Sequence, residues 1–317
     1  MEYIRHEALP RRRKDLLTTG VTRAQLESGS WFSPHFGFHR STQVRDPVRQ
    51  RILDAVAVMP SGGVLGGWAS AYLHGVTVLD GGWGTALAAH GRLGEPVLVT
   101  IPPNSVVNRA GIRSLRAALD PQDITEVDGV SCTTGLRTAY DLMRFAPDLT
   151  EAVVAGDCIV HAGLADPSSI AAYAGAHSRR RGVRRLREAL PLLNGRAASP
   201  PESRLRMICH AAGLPQLLVN TPVYDLNGKF LGIVDLLEPV AGLSLEYDGE
   251  YHSDLTQQTR DNYREESLER CGLTVLRVTA LDLRNPSALI TRVQEAHRAC
   301  LVTPLGVRRW FHHPRAA

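Results

Sequence analysis

The chain has no long hydrophobic run, no Cys-x-x-Cys pair, no nucleotide-binding glycine fingerprint and little net charge. Each absence excludes something. Its longest apolar stretches, such as Val97 to Ile101, fall far short of the ~20 residues that a membrane-spanning helix needs. The first residues carry Glu2, Arg5 and Glu7 with no apolar segment behind them, so a signal peptide is not expected. A cytoplasmic protein without a membrane partner is the expectation. The five cysteines (Cys132, Cys158, Cys209, Cys271 and Cys300) are odd in number and scattered, which argues against a disulfide framework and a structural zinc site. Buried free thiols are expected instead. The glycine-rich run from Ser61 to Gly67 fits neither a phosphate loop nor a dinucleotide fingerprint, and its glycines read as turn and packing residues.

What is present is an uneven distribution of charge. The total is only +4, yet Arg179 to Arg206 holds nine arginines against Glu188 and Glu202, a local excess of seven. Such a block can neutralise phosphates, and Arg179, Arg180, Arg181, Arg184 and Arg185 are its candidate nucleic-acid contacts. The competing reading is a solvated helix face or linker. Arg11-Arg12-Arg13-Lys14 carries the same two readings.

The 317 residues allow two or three domains. Within 1–50, a short helix from Arg11 to Leu17 precedes Thr22-Arg23-Ala24-Gln25, a capping box that opens a second helix ending near Gly29. The aromatic stretch Trp31 to Arg40 then suits a small β-wing. Together these predict a winged helix-turn-helix. Residues 51–178 form a mixed segment with helices at Arg51–Met59, Trp68–His74, Thr134–Phe145 and Leu149–Val160, and a strand at Pro96–Pro102. Residues 179–198 read as an arginine-rich connector, 199–300 as a further α/β domain and 301–317 as a basic tail.

Gly67-Trp68-Ala69-Ser70-Ala71-Tyr72-Leu73-His74-Gly75 resembles a helix of AbiEi-type antitoxin proteins of abortive-infection systems. Arg137 to Leu142 and Glu151 to Asp157 continue the likeness, which covers roughly residues 10–165. It implies an N-terminal winged helix that binds DNA and a following domain that supports it.

In the last third the order is helix, three strands, helix, strand, helix. Ser199-Pro200-Pro201-Glu202 opens the first helix, Leu217 to Val219 is a short strand, and Phe230 to Leu237 and Leu243 to Asp248 form a hairpin. A long helix runs from Asp254 to Cys271, followed by a strand from Leu273 to Thr279 and a helix from Ser287 to Ala299. Asp235 interrupts the apolar run Gly232 to Leu237, and a lone carboxylate inside a buried strand is costly unless paired, hydrogen-bonded or bound to a cation. Glu246 and Asp248, two apart on a strand, share a face. Three carboxylates meeting there call for a hard divalent cation, Mg²⁺ (or Mn²⁺), which could bind a phosphodiester and activate water.

Asp235, ten intervening residues, then Glu246-Tyr247-Asp248-Gly249 with His252 beyond resembles the PD-(D/E)XK nuclease superfamily, in its branch related to very-short-patch-repair endonucleases. The likeness runs from about Ser199 to Pro286 and includes Arg260-Asp261, Arg264, Leu268, Gly272 and Leu276-Arg277. It implies a restriction-endonuclease-like sheet, with Asp235 and Glu246 as metal ligands and Glu202 as an auxiliary acidic residue. Asp248 stands where the general pattern has lysine, and it joins the expected metal set. His252, Arg260 and Arg264 are candidates for orienting water or stabilising the scissile phosphate, the histidine also for acid–base chemistry.

The fold expected is therefore α/β of the α+β kind: winged helix, mixed middle domain, nuclease-like sheet. The function expected is a DNA-binding protein with a metal-dependent endonuclease domain, in DNA repair or phage defence. The rival is a non-catalytic DNA-binding regulator or antitoxin that keeps a degenerate nuclease fold, which the missing lysine favours. RNA and branched or mismatched DNA stay open as substrates, as do a second copy of the chain and a toxin protein as partners.

Overall fold

A computed structural model describes residues 9–82, 94–215, 217–248, 255–302 and 308–312, with side chains left aside for 255–262. The fold is α+β, and the chain divides into two compact units, Met1–Pro191 and Leu192–Ala317. Among the described residues no helix is long and apolar enough to cross a membrane.

The first unit begins with β1 (Arg11–Arg12), α1 (Arg13–Thr18), α2 (Arg23–Leu26), β2 (Trp31–His35) and β3 (Phe38–Ser41). The strands pair antiparallel in the order β1-β3-β2. Thr22 forms the expected capping box with Gln25, the Thr22 backbone N–H donating to Gln25 Oε1 at 2.8 Å. The second helix is nevertheless a single turn that ends at Leu26, short of Gly29, because Ser28 folds its hydroxyl back onto the Gln25 carbonyl.

Helix α3 (Pro47–Val56) follows, capped by Asp46, whose carboxylate accepts from the Val48 and Arg49 N–H groups. Next come β4 (Val64–Gly66), α4 (Gly67–Leu73), β5 (Val97–Ile101), β6 (Ile112–Arg116), β7 (Ile124–Val127) and β8 (Val130–Thr133). They build a five-stranded sheet in the order β6-β5-β4-β8-β7, with β5–β6 and β4–β8 parallel. Helices α5 (Gly135–Phe145), α6 (Leu149–His161), α7 (Pro167–Ala176) and α8 (Val183–Ala189) complete the unit. Every residue of β5 is buried, as its β-branched run predicts.

The arginine-rich stretch is not the connector that its composition suggests. Val183, Leu186 and Ala189 place one face of α8 in the core, so only the arginine face is solvated. Charge density alone cannot separate a linker from an amphipathic helix whose apolar positions are few. Gly182 makes the turn into α8 at φ +87°, and a Cβ there would run into the Arg144 carbonyl. Gly182→Ala should therefore destabilise the first unit by more than ~1 kcal/mol. Urea denaturation would show it, and an unchanged midpoint would contradict this account of the turn.

The second unit contains α9 (Pro200–Ala211), β9 (Leu218–Asp225), β10 (Phe230–Glu238), β11 (Leu243–Asp248), α10 (Leu255–Arg270), β12 (Thr274–Thr279), α11 (Ala280–Leu283), α12 (Pro286–Leu301) and β13 (Trp310–His312). The sheet order is β12-β11-β10-β9-β13, with β11–β12 parallel and the other pairs antiparallel. Leu205 and Ile208 of α9 and Leu289 and Val293 of α12 pack with Leu236, Leu245 and Val278 of the sheet. Leu268 of α10 packs in a second cluster with Val234 and Leu237. Part of the expected basic tail belongs to the body: β13 pairs with β9, and Trp310 is buried.

Candidate active site

The three strands β9, β10 and β11 bring the sequence-predicted carboxylates together through a local irregularity. Leu236 pairs with Leu245 and Val219, and Val234 pairs with Thr221, so Asp235 stands opposite Asn220 and next to Glu246 in register. Regular alternation would put Val234 and Leu236 on one face. Instead Val234 packs with Leu268 and Leu236 with Leu205. The alternation breaks at Asp235, and Asn220 opposite it takes a left-handed conformation at φ 45°, which asparagine tolerates better than most residues. In place of a ladder partner, the Tyr247 N–H donates to Asp235 Oδ2 at 2.8 Å.

Glu246 is buried, and its two oxygens differ. Oε2 accepts from Arg264 Nη2 at 2.6 Å, while Oε1 is buried without a hydrogen-bond partner among the described residues. Arg264 reaches it from α10 by passing over Gly232, where a Cβ would stand 2.8 Å from the arginine's Cδ. On the way its Nη1 donates to the Ile233 carbonyl at 2.7 Å. Gly232 is thus a close-approach glycine, required by the Arg264 side chain 32 residues further along the chain rather than by a turn.

Burial raises the pKa of both carboxylates. At Asp235 burial dominates, the Tyr247 N–H opposes it, Glu202 adds to it and Arg264 opposes it. At Glu246 burial again dominates, Arg264 opposes it and Asp235 adds to it. Glu202, Asp235 and Glu246 therefore form one electrostatic neighbourhood with Arg264 on its edge. Ser199 Oγ donates to Glu202 Oε1 at 2.7 Å, while the Ala198 N–H at 3.0 Å and Asn220 Nδ2 at 2.8 Å donate to Oε2. Glu202 thus makes capping contacts at the start of α9 and also acts on Asp235 electrostatically.

Asp248 is not part of this neighbourhood. It lies half-exposed at the end of β11, with Arg277 Nη1 at 3.5 Å. Among the described residues, no group of three or more His, Cys, Asp or Glu side chains is arranged to hold a metal. The simple rule that strand residues two apart share a face says nothing of how far apart they stand from a common ligand, and the strand end at Asp248 leaves the buried surface. His252 lies outside the described residues, as does the side chain of Arg260. Sequence reasoning missed Asn220 and Gly232. The first gave no signal, and the second could have been found as a glycine inside an otherwise apolar strand.

The raised pKa values set the sign of a pH effect. A folded carboxyl with a raised pKa binds protons more readily than its unfolded counterpart, so the stability it withholds at neutral pH returns as pH falls towards the folded value. Without divalent ions, wild-type protein should gain stability relative to Asp235→Asn as pH falls from neutrality into the carboxyl range. Thermal midpoints in EDTA would measure this, and parallel profiles for the two proteins would remove the linkage.

The arginines assigned to nucleic acid fare differently. Arg179, Arg180 and Arg181 are exposed between α7 and α8. Arg184 Nε pairs with Glu188 at 2.8 Å on the surface, and Arg185 donates to the Ala146 carbonyl. A second basic depression, lined by Arg12, Arg13, Lys14, Arg23 and Arg109, surrounds Phe36, which is 90% exposed at the tip of the β2–β3 hairpin.

No family model matches the chain, and no solved structure matches it. A protein of Mycobacterium tuberculosis, described only as uncharacterized and found in strains CDC 1551 and H37Rv, is 33% identical over 116 residues, 36% of this chain and 42% of that protein. The match thus spans less than half of the relative's own length.

Proposed function

We propose that the second unit is a metal-dependent phosphodiesterase of the nuclease kind and that the basic surfaces of the first unit engage nucleic acid, DNA first. The observation that carries this reading is the Asp235–Glu246 pair, the first half-buried and the second buried, with burial raising both pKa values and one Glu246 oxygen without a hydrogen-bond partner among the described residues. A buried carboxylate oxygen with nothing to accept is an expensive arrangement in an isolated protein. It fits a hard divalent cation such as Mg²⁺ or Mn²⁺, for which Asp235 and Glu246 would be the protein ligands, water completing the shell. Such an ion supplies Lewis-acid polarisation of a phosphate oxygen and activation of water. Arg264 adds a guanidinium that can exchange Glu246 for a phosphate oxygen, and Glu202 holds negative charge beside Asp235. Asn220 orients Glu202, and Gly232 keeps the path of Arg264 open.

A second reading is favoured by specific contacts. The Arg264–Glu246 ion pair neutralises the glutamate without a cation, and Asp248 turns to Arg277. On that reading the unit is a nucleic-acid-binding module, with a regulatory or antitoxin role. Incubation of the full chain with plasmid, single-stranded and mismatched DNA and with RNA, in Mg²⁺ or Mn²⁺, separates the two. Hydrolysis that EDTA abolishes and that Asp235→Asn removes supports the enzyme. Salt-dependent binding without turnover on any of these substrates supports the binding module.

A further inference from the structure

The first unit holds a cavity of about 330 Å³ whose wall includes six arginines, Arg113, Arg116, Arg137, Arg144, Arg180 and Arg181. Its floor is rigid. Asp141 is fully buried and accepts from Arg137 Nε at 2.9 Å and Arg144 Nε at 2.7 Å. Asp123 Oδ2 accepts from Arg137 Nη1 at 3.1 Å and from the Tyr173 hydroxyl at 2.7 Å. Arg144 also stacks on Phe145, 3.7 Å from the ring centre, and donates to the Arg181 carbonyl at 3.2 Å. That last bond ties the α7–α8 turn to the floor.

The rim is different. Arg113, Arg116, Arg180 and Arg181 are exposed. Among the described residues, no carboxylate lies within ion-pair distance of Arg116, Arg180 or Arg181, and Arg113 lies over the Phe145 ring at 4.9 Å. The six guanidiniums meet Asp120 and Asp123 at the wall, Asp141 beneath it and, through Arg113, the Glu95 carboxylate, which among the described residues leaves an excess of two positive charges around one concavity. A low-dielectric concave wall focuses such a field. The floor carboxylates already pair with arginine, so among the described residues no ion pair answers Arg116, Arg180 or Arg181 at the rim.

We propose that this cavity binds a phosphate monoester. Guanidinium forks match phosphate oxygens in a two-point geometry. A monoester concentrates about 1.5 to 2 negative charges in one group near neutral pH, which suits this excess better than the single charge of a diester. The volume lies at the small end of ligand pockets, roughly 300–1,000 Å³, so it takes one phosphate on a compact body. That group could come from a free nucleotide or from the 5′ end of a nucleic-acid strand. The proposal stands on the first unit alone and does not depend on hydrolysis in the second.

The test is calorimetric titration of the full chain in EDTA with inorganic phosphate, adenosine 5′-monophosphate, adenosine, and one oligonucleotide bearing either a 5′-phosphate or a 5′-hydroxyl. The monophosphate should bind, and adenosine should not. Arg116→Ala and Arg180→Ala, both on the exposed rim, should keep the wild-type thermal midpoint and weaken the monophosphate about tenfold each. If the strand end is the source, the 5′-phosphorylated oligonucleotide loses affinity in these variants and its 5′-hydroxyl twin does not. If the free nucleotide is the source, neither oligonucleotide responds. Equal binding of adenosine and its monophosphate, no binding of either, unchanged affinity in both variants, or equal losses for both oligonucleotides would each overturn the proposal.

Discussion

Asp235→Asn is expected to lower Mg²⁺-dependent hydrolysis by at least about 10²-fold while leaving the chain folded. The substitution keeps the shape of the side chain and an oxygen to accept the Tyr247 N–H, so strand pairing has no reason to fail. On the proposed reading, what it removes is one of two anionic metal ligands. Metal stabilisation of developing charge is worth several kcal/mol, and each 1.36 kcal/mol is about tenfold in rate. Losing a share of that stabilisation gives the stated drop. Because burial and Glu202 both disfavour the ionised Asp235, neutralising it should not lower the thermal midpoint in EDTA and should reduce the rise that Mg²⁺ produces in the wild type. Cleavage at the wild-type rate by a folded variant would remove Asp235 from the reaction. A variant whose EDTA midpoint falls by several degrees would show that the carboxylate serves the fold instead.

The second large effect is predicted in the first unit. Asp141→Ala should destabilise it by about 3–5 kcal/mol, because removing one partner of a buried charge network leaves the others uncompensated. Arg137 and Arg144 are only 8% and 6% exposed, and Asp141 accepts from both. Arg137 would retain Asp123, but among the described residues Arg144 would keep as a hydrogen-bond acceptor only the Arg181 carbonyl, beside its stacking on Phe145. Hydrogen exchange in α5, compared between wild type and variant, localises the loss to this unit. A useful contrast is Arg184→Ala. Its ion pair with Glu188 is at the surface, and such pairs contribute little, so no measurable change is expected. Similar small shifts for both variants would mean that the buried network is not what holds α5 in place. The same Asp141→Ala change should also weaken monophosphate binding, since it loosens the cavity floor.

The second unit was legible in the sequence to an unusual degree for its elements, less so for its contacts. The order of helix and strand from Ser199 onward follows from capping signals, a β-branched run and the glycine after Cys271, all local properties. Strand β9 was read as three residues and is eight, since Asn220 and Pro222 break the pattern that periodicity relies on. Strand β13 was not foreseen, because edge pairing with β9 is a long-range event with no local signature. In the first unit, β6, β7, β8, α7 and α8 escaped for the same reason. Several of them are short, and arginine content masked the apolar stripe of α8.

The sequence by itself determined that this chain makes an α+β protein, that Asp235 is a carboxylate where a buried strand should have none, and that Glu246 lies beside it. Those conclusions rest on residue identity and strand register, which are nearest-neighbour matters. Only the tertiary structure decided which charges meet. It drew Glu202 and Arg264 to the pair, turned Asp248 to Arg277, and gathered Arg113, Arg116, Arg137, Arg144, Arg180 and Arg181 around one cavity from β6, α5 and the α7–α8 turn. Electrostatic energy depends on distances and burial, and neither is written in the spacing of residues along a chain.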